Sequence, residues 1–355
     1  MCFEADGSYK DDLKQYSGEV LEKNGISSQT AEREILWLAD EGNTVACKLY
    51  ADLLFYQKIP RKHAYSGAFF LYLRSAGIAI DENGNWNCSR KAYPPAFWNV
   101  GYYLVNYRRE SFLKECETIF EIERMTLEER LALATELSFA CIREVEAAGA
   151  VNLIGRILLE AAENETIYEK VQPVLSEAAR EGTEMTVCLK LPEVVEREHC
   201  RACADLFFEA AAEQGYVYAC NNLALREADR ILLASRDGAS EEELQTMAKK
   251  YAGYLKRSAD KYEPYAANRL GLYYLQGEIK GSTESTSIRA EIDFSLARDY
   301  FIKATVYPDR NSAWAYYNLI RYFYKDYTND LDRLNEHMDR IRELNPEVYD
   351  LAMDL

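Results

Sequence analysis

Apolar positions recur at three- and four-residue spacing along most of this 355-residue chain, and no stretch sustains the period-two alternation of a strand. The pattern predicts helices and essentially no sheet. It also repeats. Ala219, Ala266 and Ala315 each open a helical segment with a second marker four and five residues on: Leu223-Ala224, Leu270-Gly271 and Leu319-Ile320. Fainter copies start at Ala46 (Tyr50-Ala51), Ala96 (Val100-Gly101) and Ala150 (Ile154-Gly155). Successive anchors lie 50, 54, 69, 47 and 49 residues apart. Such periods belong to helical arrays, in which each unit buries its apolar face on its neighbours. The expected fold class is all-α, a solenoid of about six helix-turn-helix repeats.

Breakers and caps divide the chain further. Residues 1–44 read as a polar segment and a capping helix, started by SSQTAERE and ended at Glu41-Gly42. Residues 45–190 read as degenerate repeats with extra helices. Their first pair covers Val45–Gln57 and Tyr65–Ala76, with a turn at Ile59-Pro60 and Gly77 as a left-handed stop. Residues 81–95 read as a long loop, and Pro94-Pro95 opens the next helix. Helices are expected over 111–125 and 127–148, the second opened by Thr126, and Pro173 and Gly182 are expected interruptions. The 69-residue gap predicts an additional helix. In the cleaner part, 191–327, helices are expected over 193–214, Tyr218–Ser235, from the Ser240 cap to Asp260, from Pro264, over Arg289–Thr305 and over Ser312–Lys325. GSTESTS at 281–287 is predicted to be a mobile polar linker. Residues 328–355 read as a terminal capping helix.

Charge narrows the classes of partner. With 59 acidic and 42 basic residues the chain carries −17, against a nucleic-acid ligand and in favour of a basic partner, although solubility explains an acidic surface equally well. No run of apolar residues approaches a membrane span, and the polar N-terminus lacks a leader pattern, so no membrane association is expected. Nine irregularly spaced cysteines, most in apolar helical text, point to a reduced, cytoplasmic protein.

LFFEAAAEQGYVYACNNLA (206–224), YLKRSADKYEPYAANRLGLYYLQGE (254–278) and ARDYFIKATVYPDRNSAWAYYNLIRYFY (297–324) resemble Sel-one-like repeats, a branch of the tetratricopeptide superfamily. A helix ending in small residues and Gly precedes a helix with Ala, Leu and Gly at fixed offsets, which lets the two approach closely. The likeness is good over about 195–325 and weaker over 45–190. The units here run longer than the roughly 34 residues of the tetratricopeptide repeat, and the regular cysteine pairs of some secreted relatives are missing. The resemblance implies a right-handed superhelix whose concave face is lined by the first, or A, helix of each pair, and an adaptor or scaffold role. It also implies a groove-facing register: Trp98, Tyr102 and Asn106, then Asn152 and Arg156, then Asn221, Asn268, Tyr317 and Arg321. Amides there suit a peptide backbone, and Trp and Tyr supply rigid anchors; ordinary inter-helix packing is the competing reading.

Reactive chemistry is sparse in the sequence. His199, Cys200 and Cys203 form the one metal-like cluster, but zinc needs four ligands and no second pair is present. The histidines, His63, His199 and His337, fall in separate parts of the chain, and no nucleophile elbow, phosphate loop or zinc-protease motif occurs. Neither cofactor nor metal is expected. The leading expectation is a non-catalytic scaffold binding a protein or peptide. A peptide- or small-molecule-sensing regulator and a solenoid-based hydrolase are the alternatives; the short acidic N-terminus disfavours a DNA-binding domain in the former.

Overall fold

A computed structural model describes residues 28–55, 64–81, 86–88, 92–107, 118–145, 147–180, 195–288, 292–328 and 330–355. The Ile59-Pro60 turn, His63, Gly182 and most of the expected 111–125 helix lie outside these residues. The chain divides into two units, residues 1–210 and 211–355.

In the first unit the helices are α1 (Ser28–Asp40), α2 (Thr44–Phe55), α3 (Ala64–Ser75), α4 (Pro95–Asn106), the short α5 (Phe120–Glu123), α6 (Leu127–Glu144), α7 (Ala148–Glu163) and α8 (Glu165–Arg180). A 3-10 turn at Arg197–His199 leads into α9 (Cys200–Glu213), within which the division falls. Thr126 and Glu129 close a reciprocal capping box on α6. The helix ends at Glu144, not 148, because Val145 turns extended. α8 is the additional helix the wide anchor gap required. Pro173 does not interrupt it: Ile167, Val171, Leu175 and Ala178 bury one face, and that packing outweighs the lost backbone bond.

The second unit holds α10 (Val217–Arg236), α11 (Glu241–Ala259), α12 (Pro264–Gln276), α13 (Phe294–Lys303), α14 (Ser312–Tyr322), a 3-10 turn at Tyr324–Asp326, α15 (Leu331–Leu344) and α16 (Pro346–Met353). The terminal segment is thus two helices, not one. Ser240 and Glu243 form the second capping box.

The expectation of no sheet is corrected by two antiparallel ribbons. β1 (Ile78–Ile80) pairs with β2 (Trp86–Cys88), and β3 (Glu278–Lys280) with β4 (Ser285–Ser287). Three residues are too few to show an alternation. Each ribbon starts directly after a left-handed glycine that ends a helix, Gly77 at φ 61° and Gly277 at φ 68°. The expected mobile linker is therefore a hairpin. It is held by Ser282, whose amide donates to Asp229 Oδ1 on α10 at 2.7 Å, and by an ion pair between Arg236 and Glu284.

All six anchor alanines, Ala46, Ala96, Ala150, Ala219, Ala266 and Ala315, are fully buried. Five residues further on, two of these helices leave no room for a side chain. A methyl on Gly155 would stand 2.7 Å from the Phe208 ring of α9, and one on Gly271 would stand 2.5 Å from Phe301 of α13. Both rings lie against bare backbone, an approach a Cβ forbids. Two buried carboxylates are balanced locally. Asp52 takes the Tyr72 hydroxyl and the Lys48 ammonium, both at 2.6 Å, and Glu227 faces Arg230 at 3.0 Å and Lys250 at 3.4 Å.

The turn into α12 departs from glycine. Gly42 and Gly215 adopt left-handed φ four residues before their anchors, whereas Tyr262 holds that place before Ala266 at φ 61°. Its ring meets Tyr307 edge-on at 5.6 Å and the Lys303 ammonium at 5.6 Å. In α15, His337 packs between Tyr316 and Tyr327 and shares a 3.0 Å hydrogen bond with the Tyr327 hydroxyl. Burial, then the Arg333 charge, holds its pKa below the usual histidine range, against the pull of Glu336 and Asp330.

Two expectations follow from this packing. Gly271→Ala should destabilise by about 1–3 kcal/mol through overpacking on Phe301. Gly253→Ala, within α11 and with nothing near its Cβ position, should stabilise by about 0.5–1 kcal/mol. Urea unfolding of both variants checks the pair, and equal shifts would contradict the ring-on-backbone account. Because the folded pKa of His337 is lowered, the unfolded chain binds the extra proton first. Stability from this site is present above about pH 6.5 and falls as pH drops below it. His337→Phe should flatten the acid slope of the urea midpoint between pH 7.5 and 5.5.

Candidate functional site

In the first unit the expected residues lie on α4 and α7, two A helices that pack together. Trp98 covers Gly149 at the start of α7, whose missing side chain leaves a 3.3 Å fit for the indole. The indole meets Tyr102 edge-on at 5.8 Å, and Tyr102 meets Phe55 at 6.2 Å. Arg156 reaches from α7 to donate to Asn106 Oδ1 at 2.7 Å, while Asn106 Nδ2 donates to the Tyr102 carbonyl at 2.7 Å. Burial pushes the Tyr102 phenol up, and the nearby Arg156 charge partly offsets this. Trp98, Tyr102 and Arg156 are half-buried; Asn106 and Asn152 are buried. Asn106 thus aims the Arg156 guanidinium across the two helices.

The second unit gathers similar residue types, in a different arrangement, on α12 and α14. Asn318 Nδ2 donates to Asn268 Oδ1 at 2.9 Å, a buried bond between these two A helices. Tyr317 is buried, and its hydroxyl accepts from Arg321 at 3.1 Å. The Arg321 guanidinium is exposed and lies 5.2 Å from the Tyr322 ring centre. Trp314 stands edge-on to Tyr317 at 5.8 Å and is 41% exposed, the indole most open to a ligand in this cluster. Asn221 lies apart from these. Its Nδ2 donates at 2.9 Å to Glu263, which caps α12 through the amides of Tyr265 and Ala266. Burial raises the Glu263 pKa, and those bonds oppose the rise.

The structure therefore brings Trp98, Tyr102, Asn106 and Arg156 together in one unit and Asn268, Tyr317 and Arg321 together in the other. It turns the amides of Asn106 and Asn268 onto neighbouring helices instead of towards a ligand, and it buries Asn152. Sequence reasoning missed Trp314, Asn318 and Glu263. The signal was present for Trp314, which is three residues before Tyr317 and so on the same helical face.

Among the described residues the two thiols do not join the one group of close potential ligands, the exposed Glu196, Glu198 and His199. Cys200 and Cys203 are buried in α9, and burial pushes the Cys200 thiol up to about 11, away from the thiolate that a metal would need. His199 is exposed, its Nδ1 3.7 Å from Glu196 and its Nε2 4.0 Å from Glu198. Tyr316 and Tyr327 surround His337, the other described histidine. Among the described residues no helix is long and apolar enough to cross a membrane.

No protein-family profile matches the chain, and no curated protein does. Solved structures do align with it, among them the following two. One is a protective antigen of uropathogenic Escherichia coli displaying an SLR fold, at 14% identity and a TM-score of 0.30, covering 92% of this chain and 68% of the other. A second is a Sel1 repeat protein from Oxalobacter formigenes, at 18% identity and a TM-score of 0.26, covering 85% and 83%. At such scores the superpositions carry no argument, and the helical-repeat fold stands on the chain's own helix pairs.

Asn221→Leu should leave the buried Glu263 carboxylate short of a donor and destabilise by about 1–3 kcal/mol. Thermal unfolding measures it. A neutral result would mean that backbone amides alone satisfy this cap.

Proposed function

We propose that this chain is a Sel-one-like helical-repeat scaffold that binds a partner protein or peptide, without catalysis, along the faces of its A helices. The observation that carries this reading is a recurring trio of residue types. Trp98, Tyr102 and Arg156 cluster in the first unit, and Trp314, Tyr317 and Arg321 in the second. Trp, Tyr and Arg dominate interface energetics because they bury large area at small entropic cost and donate in a fixed geometry. Here each trio is set on rigid helices and steadied by a buried amide contact, Asn106 under Arg156 and Asn318–Asn268 under α14. Preorganisation of that kind lowers the cost of binding. A hydrolase would need a nucleophile or a general acid and base held within hydrogen-bond reach, and neither trio offers such a pair. The net charge of −17 favours a partner with basic character, met in water and not on a membrane or nucleic acid.

The test is affinity capture from a source lysate with quantitative mass spectrometry, comparing wild type with Trp98→Ala and with Trp314→Ala plus Arg321→Ala. Circular dichroism confirms that the variants fold. The expected outcome is a partner enriched on wild type and reduced at least tenfold on one variant, the loss of a hot-spot contact of about 1.4 kcal/mol or more. Identical partner lists on all three proteins would overturn the reading.

A further inference from the structure

We draw no further inference here: the strongest candidate, the exposed cluster of Glu196, Glu198 and His199 in the turn before α9, carries nothing, because its two carboxylates lie against different nitrogens of the ring, Nδ1 at 3.7 Å and Nε2 at 4.0 Å, and no second observation points to a ligand there.

Discussion

The packing of α7 on α9 and of α12 on α13 depends on how closely the helices approach at Gly155 and Gly271, five residues after Ala150 and Ala266. At both, an aromatic ring from a following helix rests on bare backbone. Dispersion falls off steeply with distance, so removing one carbon layer turns a loose crossing into a dense one. The anchor alanines act with the same logic one turn earlier. Larger residues there would push the helices apart, and the buried bonds that cross between them, such as Asn318–Asn268, would lose their reach. Small residues thus set the spacing, and the polar residues exploit it.

That division explains how much the sequence revealed. The anchors were legible because they must be small and must recur, so a text comparison finds them without any structure. Helix starts at Thr126, Ser240 and Pro264 were legible because capping chemistry is local. Pro173 misled because a local penalty was weighed without the face formed by Ile167, Val171, Leu175 and Ala178, which only tertiary packing can reward. The ribbons were missed because strands of three residues leave no period to detect. The site residues fell between these cases. Their helical face was what the repeat resemblance implied, and burial was not part of it. Asn106 and Asn268 face neighbouring helices, and nothing in their own sequence context distinguishes an amide that will meet a ligand from one that will bridge two helices.

Tyr262 shows a different balance. A non-glycine residue with left-handed φ carries a local cost of about 1–2 kcal/mol, and two other turns of this kind avoid it with glycine. Here the aromatic contact with Tyr307 and the Lys303 ammonium hold the residue in place, while Lys303 also reaches Asp260 at 2.8 Å. The turn is thereby cross-linked to α13. Strain that would be a defect in isolation becomes a means of tying a turn to the helix that follows it in space.

The two hairpins change what counts as a repeat. Each leaves a helix through a left-handed glycine and returns to the array, and the second is pinned to α10 through Asp229. Chain inserted at such a point is folded back on itself, so it adds little closure entropy and disturbs no helix contact. Repeat length is then free to vary by construction, while the position of the anchor alanine is not. An array built this way can gain or lose residues at its hairpins over evolutionary time and keep the same helix packing, which makes anchor register, and not period, the measure by which its relatives should be sought.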